Sequence, residues 1–338
     1  MIVSIVIPCL NEFDSIERVV SDCFNQKTEH EIEVIVVDGG SNDGTKEKLD
    51  TLSGQFDKLV VLDNPKKFQA AALNVGIERA SGSVIVRMDA HTRYADDYVQ
   101  ACIDVMEETG ADNVGGPART ETRGYLQGAI AAAFHSKFST GGAAFHDPEY
   151  EGPADTITYG CWPRETIQEI GGFDEEMIRN EDDELNLRLH RAGKKLWQSP
   201  RIRSWYSPRS SLAHLFKQYQ QYGYYKVKVI QKHRIPASIR HLVPGAMVVG
   251  FGTLAAGSLF SNIARLGLFA AGTAYGTVIT AASVQTASKT KWRYLPVLPI
   301  IFASYHWGYG LGYVRGMMDF MVLKRDASGK FQVLTREQ

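Results

Sequence analysis

Two short runs, Glu33-Val34-Ile35-Val36-Val37 and Ser83-Val84-Ile85-Val86-Arg87-Met88, each deliver an aspartate, Asp38 and Asp89, into turn-forming sequence. Rich in β-branched residues, they read as buried parallel strands, as does Ser4-Ile5-Val6-Ile7-Pro8 before them. In open α/β sheets ligands bind beyond the carboxyl ends of the strands. The two acids are therefore placed to hold a polar ligand, and a metal with it.

Helical patterns separate these runs. Ile16, Val19, Val20, Cys23 and Phe24 recur at helical spacing behind Asn11-Glu12 and Asp14-Ser15, which suit a cap. A further helix is expected over residues 69 to 80, stopped by Ser81-Gly82. Strand and helix alternating over residues 1 to 90 imply an α/β fold with a doubly wound, mostly parallel sheet. No GxGxxG follows the first strand, which disfavours a dinucleotide-dependent dehydrogenase.

Composition narrows the partners. In 338 residues, 37 Lys and Arg balance 38 Asp and Glu, so no global field points to a nucleic-acid polymer. Cys9, Cys23, Cys102 and Cys161 are scattered without a CxxC pair, which fits a reducing compartment. Strand residues begin within four positions of Met1, and no secretory signal is expected. After residue 241 come three long uncharged intervals, between Arg240 and Arg265, Arg265 and Lys289, and Arg293 and Arg315. Each can supply the roughly 20 residues that cross a bilayer, and Gly272 and Gly276 would let helices approach closely there. A soluble Ala/Gly-rich hairpin is the plain alternative.

Two crossings return the chain at Lys289-Thr290-Lys291-Trp292-Arg293, in line with the positive-inside tendency. A third would export Arg315, Lys324, Arg325 and Lys330, so the third segment is expected to be re-entrant or interfacial. The expected organisation is a catalytic domain over 1–212, an amphipathic interface region over 213–240, hydrophobic helices over 241–318 and a tail over 319–338.

Each chemical candidate has an ordinary structural role beside it. Asp38 and Asp43-Gly44 could be turn punctuation. His91 of Asp89-Ala90-His91 could be a surface histidine. Asn180 is a plausible cap for a helix with Leu185 and Leu189 on its apolar face and Gly193 as its stop, and acids such as Glu181-Asp182-Asp183-Glu184 suit a first helical turn. The same carboxylates at the mouth of a cleft could take a proton. Trp162 suits a core as well as a binding floor. The run Gln218 to Lys226, with four tyrosines, suits a membrane interface or a surface helix.

Taken together, and in this order, Ser4-Ile5-Val6-Ile7-Pro8-Cys9-Leu10-Asn11-Glu12, Val37-Asp38-Gly39-Gly40-Ser41-Asn42-Asp43-Gly44-Thr45, Ala72-Leu73-Asn74-Val75-Gly76, Asp89-Ala90-His91, Gly171-Gly172-Phe173-Asp174 and Asn180-Glu181-Asp182-Asp183-Glu184 resemble the family 2 inverting glycosyltransferases of GT-A fold. The resemblance covers roughly residues 3 to 195. Tyr305-His306-Trp307-Gly308-Tyr309-Gly310-Leu311-Gly312 is similar to the bacterial succinoglycan-type glucosyltransferase subgroup.

That resemblance implies roles residue by residue. Pro8, Asn11 and Glu12 would line the nucleotide pocket. Asp38 would accept a hydrogen bond from the base, commonly uracil, with Asp43 supporting it and Asn74 lying along the donor site. Asp89 would ligate Mg²⁺ or Mn²⁺ on the diphosphate. His91, standing where the family more often has a second aspartate, suits Mn²⁺ better than Mg²⁺. Asp182 would be the general base, with Glu181 orienting the loop or acceptor and Asp183 as the competing base. Trp162 would be part of the acceptor floor. The implied activity moves one hexose, expected to be glucose, from a UDP-sugar to a hydroxyl of a lipid-linked saccharide, at the cytoplasmic side of the inner membrane. A polyprenyl-phosphate hexosyltransferase and a catalytically silent nucleotide-binding scaffold are the alternatives.

Overall fold

The computed structural model describes residues 1–236, 238–327 and 331. Two compact units divide the chain: 1–120 with 144–207, and 121–143 with the residues from 208 onward. The excursion at 121–143 interrupts what the sequence suggested as one continuous catalytic domain over 1–212. Lys330 and most of the 319–338 tail lie outside the described residues.

The first unit is built on eleven strands: β1 (Ile2–Cys9), β2 (Glu31–Asp38), β3 (Leu59–Asp63), β4 (Val84–Arg87), β5 (Arg93–Tyr94), β6 (Asn113–Gly115), β7 (Ala118–Thr120), β8 (Gly152–Pro153), β9 (Cys161–Pro163), β10 (Leu196–Gln198) and β11 (Ser204–Tyr206). Eight form one sheet in the order β3-β2-β1-β4-β9-β6-β10-β8, and β5-β11-β7 form a small second sheet. Pairing is parallel from β3 through β4, as the sequence implied. Beyond β4 the sheet becomes mixed: β9 runs antiparallel to both neighbours, β6 and β10 are parallel, and β8 is antiparallel. These later strands are two or three residues long, too short to show a period in the sequence.

Alternate residues of the central strands bury both faces. Ile5, Ile7, Val34, Val36 and Val86 pack with Ile16, Val19, Tyr98 and Cys102 from the helices Ile16–Phe24 and Tyr98–Thr109. Val6, Ile35, Val37 and Ile85 face the helix Gln69–Arg79 together with Trp162, Leu185 and Leu189. Each fully buried Val, Ile or Leu contributes about 1.5–3 kcal/mol. Gly76 sets how closely that helix lies on β1, since a Cβ there would stand 2.4 Å from Val6 Cγ1. Trp162 pairs opposite Ile85, is 2% exposed and meets Phe173 edge to face, so it is a core residue and not an exposed acceptor floor.

The second unit is helical. The helix Leu212–His233 lies along Leu298–Gly316 with almost no side-chain spacing: a Cβ on Gly312 would fall 1.9 Å from the Gln220 carbonyl oxygen, and one on Gly223 would fall 2.0 Å from that of Tyr309. Small residues that bring backbones together are the device helices use where water drives nothing. The amphipathic region expected over 213–240 thus has one face packed on another helix. Two further stretches, Ile239–Gly257 and Asn262–Lys289, are long and apolar enough to cross a membrane, with 6% and 17% of their most apolar windows buried. Ile263, Leu266 and Phe269 are exposed on the second, and Phe260 is exposed in the turn between them. The third apolar segment, Leu298–Gly316, instead buries Leu298, Ile301, Phe302 and Tyr305.

Candidate active site

Three loops at the carboxyl ends of β1, β2 and β4 and the amino end of the helix Glu181–Arg191 carry the expected residues. The β2 loop is self-supporting. Asp38 is buried, with Oδ2 accepting the Gly40 and Ser41 amides at 3.0 Å and Oδ1 accepting the Ser41 hydroxyl at 2.5 Å. Asp43 accepts the Thr45 amide and hydroxyl and the Phe13 amide, and these bonds hold its carboxyl below the usual range despite the opposing effect of desolvation. Asn11, at φ 54°, gives its amide to Ser41 Oγ and accepts the Asn42 amide on its side chain. Pro8 is half-buried one residue before the end of β1, opposite Val37.

Glu12 ties this loop pair to the next. Its amide donates to Thr45 Oγ1, one carboxylate oxygen stands 2.7 Å from His91 Nδ1, and the other accepts from Ser15 Oγ. Ser15 occupies the expected cap position but spends its hydroxyl on Glu12.

Asp89 sits at the end of β4 in a tight cradle. Arg87 Nε is 3.0 Å from Oδ1 and Nη2 is 3.3 Å from Oδ2, and the Gln69 amide reaches both oxygens at 3.3 Å. The Asp89 amide donates to the Tyr94 hydroxyl at 2.6 Å. Tyr94 packs edge to face on Tyr159, whose hydroxyl meets Thr92 Oγ1 at 2.9 Å. Burial pushes both phenols well above their ordinary range, so they act as neutral hydrogen-bonding groups.

The helix Glu181–Arg191 brings the acidic run to the same place. Asn180 stands at its N-cap in the left-handed region, without a side-chain cap bond. Arg87 Nη1 binds Asp182 Oδ1, and Arg87 Nη2 lies 3.6 Å from Glu181. One guanidinium, 3% exposed, thus touches Asp89, Glu181 and Asp182. Burial works against its charge, and the three carboxylates more than offset that, raising its pKa well above the ordinary arginine value. Burial lifts Asp182 to about 8 against the downward pull of Arg87, with Glu181 and Asp89 adding repulsion. Glu181 is raised for the same first reason. Some 29% of the Asp182 side chain stays open to solvent.

The expected carboxylates Asp89, Glu181 and Asp182 therefore converge. A run of contacts through Ser41, Asn11, Glu12 and His91 links Asp38 to them. Asn74 has another task than lining a donor site: its side chain accepts the Phe173 amide at 2.8 Å and donates to the Phe173 carbonyl and to Glu175, so it clamps the Gly171–Asp174 loop. Sequence reasoning passed over Arg87, Gln69, Tyr94 and Tyr159. For Arg87 a signal existed, since a charge inside an otherwise apolar central strand must find partners.

Comparison with known proteins matches this geometry to a family. The model of glycosyl transferase family 2 fits residues 4–140. The chain is 33% identical over 320 residues to the succinoglycan biosynthesis protein ExoA of Rhizobium meliloti (strain 1021), across 94% of this chain and 95% of that one. It is 28% identical over 325 residues to dolichyl N-acetyl-alpha-D-glucosaminyl phosphate 3-beta-D-2,3-diacetamido-2,3-dideoxy-beta-D-glucuronosyltransferase of Methanococcus voltae, across 94% and 97%. Its fold is similar to that of the mannosyltransferase PcManGT from Pyrobaculum calidifontis, solved with GDP-Man and Mn²⁺, at a TM-score of 0.58 and 19% identity over 90% of this chain and 87% of that one. By fold and by similarity across 94% of its length, the chain belongs to glycosyl transferase family 2 and is a glycosyltransferase of GT-A architecture.

Proposed function

We propose that this enzyme transfers a hexose, glucose by preference, from a UDP-sugar to a hydroxyl of a lipid-linked saccharide during surface or exopolysaccharide synthesis, with inversion in one displacement. The observation that carries the reading is the convergence of Asp89 with Asp182 and Glu181 on one guanidinium at the strand ends. Support for the pathway comes from the R. meliloti relative, named for succinoglycan biosynthesis and matched along nearly its whole length.

In this reading Asp182 takes the proton of the acceptor hydroxyl. A carboxyl lifted to about 8 is well matched to proton transfer near neutrality. Glu181 orients the loop or the acceptor. The β2 loop, braced by Asp38 and Asp43, receives the base and ribose, and Pro8, Asn11 and Glu12 border it.

A divalent cation is part of the proposal. Among the described residues no group of three or more His, Cys, Asp or Glu side chains is gathered as a metal cage. The donor set nevertheless fits a cation that completes its shell with phosphate oxygens and water, since one or two protein ligands then suffice. Asp89 and His91 would hold it, one through oxygen and one through imidazole nitrogen, a mixture suited to Mn²⁺. When bound, such an ion neutralises charge developing on the departing diphosphate.

The apolar stretches Ile239–Gly257 and Asn262–Lys289 suit a protein held at the inner membrane, with the sheet unit on the cytoplasmic side where nucleotide sugars are made. The test is a donor screen with the full chain in native membranes, Mn²⁺ or Mg²⁺ and a lipid extract, read by product mass. A UDP-hexose should add one hexose to a lipid-linked saccharide in an acid-stable glycosidic bond. Product cleaved by mild acid would mean a polyprenyl phosphate as acceptor instead, and no donor turnover would mean a silent scaffold.

A further inference from the structure

We propose that Arg87 is a positioning residue that aligns the Asp182 carboxylate for proton transfer while gripping Asp89, so that one guanidinium ties the donor end of the crevice to its acceptor end. This rests on the role proposed for Asp182.

Arg87 is the last residue of β4, a strand otherwise made of Val84, Ile85 and Val86 and hydrogen-bonded on both sides. Its own amide donates to the Gly160 carbonyl at 3.1 Å, which fixes the root of the side chain. The guanidinium uses its edges separately: Nε and Nη2 fork onto Asp89, and Nη1 holds Asp182 Oδ1. Holding Oδ1 leaves Oδ2 for the proton. The Tyr159 ring, 5.9 Å from Cζ, stands beside the group.

Stability alone gives a poor reason for this arrangement. Buried ion clusters are often no more stable than well-packed apolar side chains of the same volume. A rigid planar fork that spans two carboxylates does offer geometric control, and an ammonium point charge cannot reproduce it. Displacement of a reacting group by about 1 Å can slow a reaction on the order of 10²-fold.

The experiment uses the full-length chain in native membranes or detergent, with UDP-glucose and lipid extract as substrates and calorimetric UDP binding in the presence of Mn²⁺ as the second readout. At saturating Mn²⁺, which makes up for a weaker cation site at Asp89, Arg87→Lys should lower kcat on the order of 10²-fold while the KM for UDP-glucose and the UDP affinity stay within about threefold. Because residues acting as a unit are non-additive, Arg87→Lys combined with Asp182→Asn should be no slower than Asp182→Asn alone. A kcat within about threefold of the parent for Arg87→Lys overturns the proposal. So do losses that multiply in the double variant, which would mean that Arg87 acts elsewhere than through Asp182. Should Asp182→Asn be as active as the parent, the base assignment falls, and a large Arg87→Lys loss then overturns the link between the two. If Arg87→Lys gives no cooperative melting transition, Arg87→Gln with Glu181→Gln removes one cation and one anion together, and the same kcat loss at unchanged UDP affinity is expected of it.

Discussion

His91 Nδ1 lies 2.7 Å from a Glu12 carboxylate oxygen, joining the loop after β1 to the loop after its neighbour β4. With a cation on Nε2, a carboxylate there would hold the ring proton on Nδ1, as in the second shell of metal-ligating histidines. Glu12→Gln should therefore raise the Mn²⁺ concentration needed for UDP binding by about 10–100-fold. Calorimetric titration of Mn²⁺ with UDP at fixed protein reads this. Chelation with EDTA should remove transfer, and added Mn²⁺ should restore it. An unchanged Mn²⁺ requirement would take His91 out of the ligand set.

Asp182→Asn removes the proposed base and keeps its volume. Loss of a general base typically slows a reaction by about 10²–10⁴-fold. Turnover of UDP-glucose should fall by that amount while UDP affinity remains close to the parent's. Activity within a few-fold of the parent would move the base to Asp183 or beyond the acidic run.

The pH profile follows from the same residue. A base works only when unprotonated, and burial holds the Asp182 proton up to about 8 in the free protein. The sign is fixed: kcat/KM should climb as pH rises toward 8 and level off above it. Folding responds in the opposite direction. With the folded pKa raised above the ordinary carboxyl value, the protonated form is favoured in the native state, so this group's contribution is fully present at low pH and fades as pH rises through about 8. In Asp182→Asn the kinetic limb near 8 should vanish from rates measured between pH 6 and 9.

Arg188 braces the site from behind. Its Nε and Nη2 grip the fully buried Glu184, Nη1 donates to the Ile170 carbonyl at 2.5 Å, and Nη2 donates to the Gly172 carbonyl at 2.6 Å. Arg188→Ala removes the cation beside the buried Glu184 and the donors to the Ile170 and Gly172 carbonyls. A loss of roughly 3–5 kcal/mol is expected, as for other broken buried pairs. Denaturant unfolding of the purified protein measures it, and a midpoint equal to the parent's would mean that solvent already reaches Glu184.

Much of the β1–β4 half of the sheet was legible because its determinants are local. Val34 to Val37 and Val84 to Val86 are continuous β-branched runs, so the strands and the acids after them follow from a short window. The helix expected over 69 to 80 forms as Gln69–Arg79. Arg87 and Asp182 are 95 positions apart, and their pairing depends on where the helix Glu181–Arg191 docks, which no local pattern encodes. Trp162 was ambiguous because an aromatic in a three-residue strand carries no period. The 121–143 excursion was hidden for a related reason: its Ala-rich helix Tyr125–Phe134 reads as core whichever unit it belongs to.

Arg87 brings one fixed positive charge to three carboxylates, and a guanidinium does not surrender its proton in a protein. Above about pH 8, once Asp182 has given up its proton, the acids outnumber that one cation and the crevice holds a local surplus of anion. A diphosphate entering alone would meet repulsion, whereas one arriving with its own counter-ion would not. If the proposed donor enters here, electroneutrality at this one point would make its ionic company a condition of entry, before any bond to the sugar is strained.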